Sequence, residues 1–349
     1  MRAAERQQLA AVVQQNCDIV DASHAADLSL CIYLLQMREL YRWQQGLGFV
    51  VALDRDAVGQ WIERREAHWA ALEGRAIEPL TIGGETFAPF DVEPINRRLA
   101  PAGLIYGAGL VGPERAVFFL ADRHASARPA DALAVEQGGR EHARGLLAPP
   151  AVLQGDTIVL RRESFARWLW ERFEAFHLKR PQGPFARVAQ AHGLTDTAAF
   201  VERLPTLVDA LSGNLVLHEQ GERAASAWLD PDWATLRLAL RRARPAQQLR
   251  AVRDHIADLG LTLPALLERG DPVPLHFWFS HYEGWREALY PSLVEAYRAW
   301  DAGDRGAALR AACDRGSAHF AALARELIAL GDPAAVERRL AEPTTVFEG

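Results

Sequence analysis

Two rhythms of apolar residues alternate along the chain, and the change between them divides it into three stretches. From near Ala3 to Gly74 the apolar positions recur at helical spacing. Residues three and four apart fall on one face of an α-helix. The run ADLSLCIYLLQMRELYRWQQ puts Leu30, Leu34, Met37 and Tyr41 on such a face, with Gly46 as its stop. Asp54 is placed to cap the next helix, in which Val58, Trp61, Ile62, Trp69 and Leu72 form a stripe that Gly74 ends.

From about Ile77 to Leu160 the period shortens. IEPLTIGGETFAPF holds Gly83-Gly84 between short apolar runs, the mark of a β-hairpin. GLIYGAGLV and RAVFFLADRH read as two strands joined around Gly112 and Pro113, and LQGDTIVLRR as a further strand. Gly107-Ala-Gly109 lacks the third glycine and the following helix of a dinucleotide loop, so a Rossmann reading is rejected. After Arg161 helical spacing returns and holds to the end. Asp230-Pro231 and Asp332-Pro333 each set a capping aspartate before proline at a first helical position. Pro264, Pro272, Pro274 and Pro291 break the remainder into short units. Helix is expected over Ser164–Lys179 and Asn214–Trp228.

The expected fold class is therefore mainly α, a multi-helix globular body with a small mixed α/β, hairpin-containing insert. Its segments are residues 1–76, 77–160 and 161–349. No internal repeat or low-complexity linker separates them, which predicts one compact body.

Composition narrows the function classes. Hydrophobic residues make up 49% and charged residues 24%, with ten Trp and fourteen Phe to build a core. A net charge of −6 gives no global attraction to nucleic acid or an anionic membrane. The densest basic run, Arg237, Arg241, Arg242 and Arg244, reads as a solvated helix face. Three cysteines without a CxxC are no disulfide framework, and Cys17 and Cys31 read as small core residues. The start of the chain lacks the apolar core of a signal peptide, and no apolar run nears the roughly 20 residues that span a bilayer. These features predict a soluble, cytoplasmic, monomer-competent chain without membrane or nucleic-acid partners. Oligomeric state and small-molecule substrate are left open.

Candidate chemistry concentrates in two helices. In NLVLHEQGERAASAWL, His218 and Glu222 are four apart and share a face, so they can converge on one ion. HEQGE resembles the HExxH zinc-peptidase helix with glutamate in place of its second histidine, so that mechanism does not carry over. In RRESFARWLWERFEAFHLKR, Glu171, Glu174 and His177 follow at intervals of three. Glu174 to His177 has the ExxH spacing of helical di-iron carboxylate proteins, although one ExxH is half of that pattern. Salt bridges to Arg167 and Arg172 are the plain alternative. Both helices are apolar over most of their surface, and buried charge needs a partner or a metal. The two are accordingly expected to pack together around a divalent metal, iron in preference to zinc.

Further candidates lie outside these helices. His24 stands near Asp21 and Asp27, either of which could orient it. His281 and Trp285, with Trp278 and Tyr282, could wall a ligand or cofactor pocket, although such aromatic density is more often core. There is no GxSxG, Walker loop or catalytic cysteine context. The resulting reading is a metal-binding helical protein, a di-iron-like non-haem oxidoreductase. A zinc-dependent hydrolase with Glu219 as general base, about 100° around the helix from His218, is one alternative. A non-catalytic protein that binds a small molecule or another protein is the other.

The stretches NCDIVDASHAADLSLCIYLLQMRELYRWQQG, APPAVLQGDTIVLRRESFARWLWERFE and LVLHEQGE together resemble an uncharacterised family of bacterial hypothetical proteins. That resemblance implies no activity or cofactor. It supports only the single-body architecture.

Overall fold

A computed structural model describes residues 1–111, 115–127, 133–178 and 182–349. The expected Gly112–Pro113 joint and Lys179, the last residue of one expected helix, lie outside the described residues. The chain packs as two compact units, Met1–Glu174 with Asp196–Val208, and Ala175–Thr195 with Asp209–Gly349.

The N-terminal unit opens with helices α1 (Ala3–His24), α2 (Leu30–Gln44) and α3 (Arg55–Ala70). Strands β1 (Leu80–Ile82) and β2 (Glu85–Phe87) form the expected hairpin. Its turn residues Gly83 and Gly84 have φ of 61° and 85°, backbone that only glycine adopts without strain. Helix α4 (Val92–Leu99) leads into β3 (Leu104–Val111), β4 (Arg115–Ala127), β5 (Ala134–Arg144), β6 (Ala151–Gln154) and β7 (Thr157–Arg161). These five strands form a sheet in the order β3-β4-β5-β7-β6, parallel only between β5 and β7. The sheet curls, and Gln154 Nε2 of β6 donates to the Ala108 carbonyl of β3 at 3.1 Å.

Helix α1 covers one face of that sheet. Leu9, Val13, Cys17 and Val20 make its buried stripe against Tyr106, Phe118, Leu120 and Ala143. On the other face Ile105, Phe119, Ala121 and Val159 form a smaller core. Gly107 belongs to this packing: a Cβ there would stand 2.0 Å from the Phe119 ring. Its missing side chain seats an aromatic ring rather than a phosphate.

Two expectations need correction here. Cys17 is core as expected, but Cys31 is exposed, because α1 ends at His24 and Cys31 falls on the first turn of a separate helix, α2. On α2, Met37 is fully buried, but Leu30 and Leu34 of the same predicted stripe are 70% and 47% exposed. Periodicity names a face, and only the presence of a neighbour decides whether that face is covered. The Asp54 cap is as expected, accepting from the Ala57 amide at 2.8 Å.

Helix α5 (Arg162–Leu178) begins in the N-terminal unit, and the division falls after Glu174. The C-terminal unit holds α6 (Pro184–Ala191) and α7 (Thr197–Leu229) from Asp209 onward. It continues through α8 (Asp232–Ala239), α9 (Ala243–Ala257), a π-helical turn over Asp258–Thr262, and α10 (Leu263–Arg269). Helices α11 (Pro272–Phe279), α12 (Trp285–Leu289), α13 (Ser292–Asp301), α14 (Ala307–Leu330) and α15 (Pro333–Ala341) complete it. The fold is mainly α with a small α/β portion, and both helices expected around the candidate chemistry are present.

Trp233, Leu249, Val252, Tyr290, Phe320 and Leu327 lie in one core of the C-terminal unit. Asp332 caps α15 as expected, accepting from the Ala335 amide at 2.8 Å. Asp230 caps nothing: α8 starts at Asp232 with Pro231 at its N-cap, because Asp230 still belongs to the turn that ends α7. Among the described residues no helix is long and apolar enough to cross a membrane.

Candidate metal centre

His218 and Glu222 lie one turn apart on α7, as their spacing requires. Helix α9 and its π-helical end supply a second pair at the same interval, Asp254 and Asp258. The π-turn follows the core positions Leu249, Val252 and Ile256, and π-turns recur at functional sites. The helices approach closely because position 221 is glycine. A Cβ there would lie 2.6 Å from the Ala257 carbonyl oxygen.

His218 Nδ1 bonds Asp258 Oδ1 at 2.9 Å, and its Nε2 faces Glu222 Oε1 at 3.6 Å. One ligating atom each from His218, Glu222 and Asp254 lies within 4.8 Å of the others. Arg253 Nη2 reaches Glu222 Oε2 at 3.0 Å, and Arg286 Nη1 reaches Asp258 Oδ2 at 3.3 Å. Asp254 Oδ1 is buried without a hydrogen-bond partner.

The electrostatics follow from that crowding. Burial disfavours the His218 imidazolium, yet Asp258 and Glu222 raise its pKa well above the ordinary value. Burial likewise opposes ionised Asp258, but His218 and Arg286 hold its carboxyl far below the usual range. Asp254 is pushed up by burial. Glu219 is raised to about 7, first by burial and then by the charge on Glu222.

The other predicted residues have different surroundings. Glu171 accepts from Arg167 at 2.6 Å, one turn back on the same helix, and Glu174 pairs with Arg38 of α2. Both glutamates belong to the N-terminal unit, whereas His218 and Glu222 belong to the C-terminal one. His177 is exposed on the last turn of α5. His24 pairs with Asp27 at 3.1 Å, while Asp21 turns inward to Arg115 and the Leu146 amide. His281 Nδ1 bonds the Phe277 carbonyl at 2.9 Å, and Trp285 Nε1 donates to Gln247 at 3.0 Å. A cavity of about 510 Å³ lies beside Phe279, Tyr282, Tyr297 and Arg187, and neither His281 nor Trp285 lines it.

Asp254 and Asp258 escaped the sequence reading. Their signal was an aspartate pair four apart in RDHIAD, which nothing in the primary sequence ties to His218 some 40 residues away.

The chain is thus a mainly helical protein of two units, the second carrying a histidine-carboxylate cluster of metal-ligating type. It belongs to the family of unknown function DUF6866: the profile of that family's N-terminal domain matches residues 8–161, and that of its C-terminal domain residues 166–343. The two profiles meet where β7 gives way to α5. No curated protein and no solved structure matches the chain.

Proposed function

We propose that the C-terminal unit is a divalent-metal site with His218, Glu222 and Asp254 as ligands. The observation that carries this reading is the Asp258–His218 bond. With Nδ1 engaged by a carboxylate, Nε2 is turned toward Glu222. Metal-bound histidines characteristically use one ring nitrogen for the ion and the other for such an orienting partner. One imidazole with two carboxylates suits iron or zinc. Three protein ligands leave positions for water and substrate, the arrangement of catalytic rather than structural sites. Iron there supports oxygen chemistry, and zinc supports attack by a metal-activated water, with Glu219 as the neighbouring proton acceptor. Glu171 and Glu174 are left out of the ligand set because both belong to the N-terminal unit and neither joins the His218 cluster.

Elemental analysis of the purified full chain is the test. About one equivalent of iron or zinc, lost in His218→Ala and retained in Glu171→Gln, is the expected result. Metal-free protein that takes up neither ion on dialysis would end this reading.

A second reading rests on one specific observation, the seat of His218 between two carboxylates, Asp258 at 2.9 Å and Glu222 at 3.6 Å. A cationic imidazolium between Asp258 and Glu222 closes the ion network by itself. His218 then serves the fold, and the protein is a non-catalytic binding protein. The same elemental analysis separates the two.

A further inference from the structure

The five-stranded sheet of the N-terminal unit ends in β3 on one side and β6 on the other, and these two strands share no ladder. The curl of the sheet brings them together at a seam, where Gln154 of β6 reaches the Ala108 carbonyl of β3. A cavity of about 990 Å³ opens at this seam, lined by α4 and the turn before it, by β3 and by the β6–β7 hairpin. Small-molecule sites have this order of size and favour the mouths of curled or closed sheets.

The walls of this cavity are preformed. An edge strand presents backbone groups that another strand would ordinarily pair. On β3 side-chain amides take that place. Asn96 Oδ1 accepts from the Tyr106 amide at 2.8 Å, and Asn96 Nδ2 donates to the Tyr106 carbonyl at 2.9 Å. Gln154 Nε2 serves Ala108 in the same way at 3.1 Å. Tyr106 Oη donates to the Pro89 carbonyl at 2.7 Å, which pins the turn carrying Phe90. Amides thus satisfy the free edge while leaving room beside it, where a further strand would have filled the gap.

The lining selects the ligand. Ile105 and Val159, both of the small core, and half-buried Leu153 supply apolar surface. Four acids, Asp91, Glu93, Glu136 and Asp156, stand against two arginines, Arg97 and Arg123. Arg123 is held by both oxygens of Glu136, which leaves three acids against Arg97 and a negative field over the opening. Gln154 Nε2 is committed to a carbonyl, which can only accept, so the orientation of that amide is fixed. Its Oε1 is buried and has no donor among the described residues. A donor is what this lining lacks. We propose that the cavity binds an organic amine, with its protonated nitrogen among the acids and its apolar body against Ile105, Leu153 and Val159. Phe90, 49% exposed at the same cavity, favours such a ligand because an aromatic face attracts a cation. A carboxylate or phosphate of equal size meets a surplus of like charge. Every lining residue belongs to the N-terminal unit, so the site is independent of the metal reading.

The test uses the full chain and three probes that share one apolar group and differ in their heads: phenethylamine, hydrocinnamate and phenethyl alcohol. Binding is measured by calorimetric titration, and Tm is followed against each probe. The amine is expected to bind at millimolar concentration or below and to raise Tm. Its affinity should exceed that of the carboxylate and of the alcohol by about tenfold, the effect of one charge-assisted contact. That advantage should shrink as salt is added. Leu153→Trp, which fills the cavity, is expected to abolish binding. Glu93→Lys, a reversal of charge at an exposed position, is expected to weaken the amine by about threefold or more. Failure of the amine to bind at millimolar concentration overturns the proposal, as does equal binding of the carboxylate or the alcohol. Unchanged amine binding in folded Leu153→Trp overturns the location. If that variant does not fold, Glu93→Lys decides in its place, and unchanged affinity there overturns the location instead.

Discussion

The helix bearing Glu171 and Glu174 and the helix bearing His218 and Glu222 look alike as sequence and have different surroundings in the fold. Each carries acids and a histidine at helical spacing on a mostly apolar surface. On α5 both glutamates rest on arginines, Arg167 and Arg38. On α7 the partners are Asp254, Asp258, Arg253 and Arg286, and among them Asp254 Oδ1 has no donor. Buried carboxylates matched with guanidinium are an internal salt network. Around α7, Glu222 and Asp258 have arginine partners too, and what differs is the imidazole between them and the Asp254 oxygen without a donor, the features of a candidate cation site. Spacing along one helix cannot distinguish these cases, because the deciding groups come from other segments.

Variants that separate the two regions test that contrast. The largest effect is expected from Glu141→Gln, which leaves Arg161 buried without its anion. Breaking one side of a buried ion pair costs about 3–5 kcal/mol. Urea denaturation should show a loss of that size, with metal content per folded chain unchanged. A parallel loss of metal would join regions that are here held separate.

Asp21 gives the next effect, through pH. Burial raises its pKa from 3.8 to about 6, against the pull of the Leu146 amide and Arg115. A folded-state pKa above the unfolded one means that the folded chain holds the proton more tightly. Its stabilising contribution is full below about pH 4 and is lost as pH rises through 6. About two pKa units correspond to roughly 3 kcal/mol. The stability of the parent chain relative to Asp21→Asn should therefore fall by that order between pH 4 and pH 6.5. A relative stability that rises over this window would show that Arg115, not burial, controls the group.

Asp258→Asn sharpens the comparison from the other side. Loss of an orienting carboxylate typically lowers metal affinity by about 10- to 100-fold. Competition with a chromogenic chelator should register that drop, while Glu174→Gln leaves affinity unchanged. Gly221→Ala is expected to act more weakly on the same site. The added methyl must push Ala257 from its 2.6 Å approach, costing about 1–3 kcal/mol of overpacking, less the roughly 1 kcal/mol that alanine gains in a helix. Thermal unfolding and metal titration together measure it. Smallest of all, Asp332→Ala should remove about 1 kcal/mol by deleting the α15 cap, with no effect on metal content.

Local chemistry made much of the fold legible in the sequence. Gly83 and Gly84 dictated a hairpin because only glycine takes positive φ twice in succession without strain. Asp54 and Asp332 announced helix starts because their side chains reach amides that the helix itself leaves unpaired. The change from helical to strand spacing near Ile77 and back at Arg161 reflects how each backbone points its side chains, and it bounded the β-containing portion. His218 and Glu222 were a pair by the geometry of one helical turn.

Other features depended on contacts that no local rule encodes. Leu30 and Leu34 had the pattern of a buried face, yet both stand exposed in the fold. Gly107 had the look of a phosphate loop and instead makes room for Phe119 from the adjacent strand. Asp254 and Asp258 entered the candidate centre only when Gly221 let two helices approach, and Arg38 reached Glu174 across 136 positions of sequence. Backbone preference acts over a few residues, so the sequence by itself determined the elements and the spacing of their polar groups. Compensation of buried charge acts through space, so only the tertiary structure decided which acids meet arginine alone and which also face a histidine.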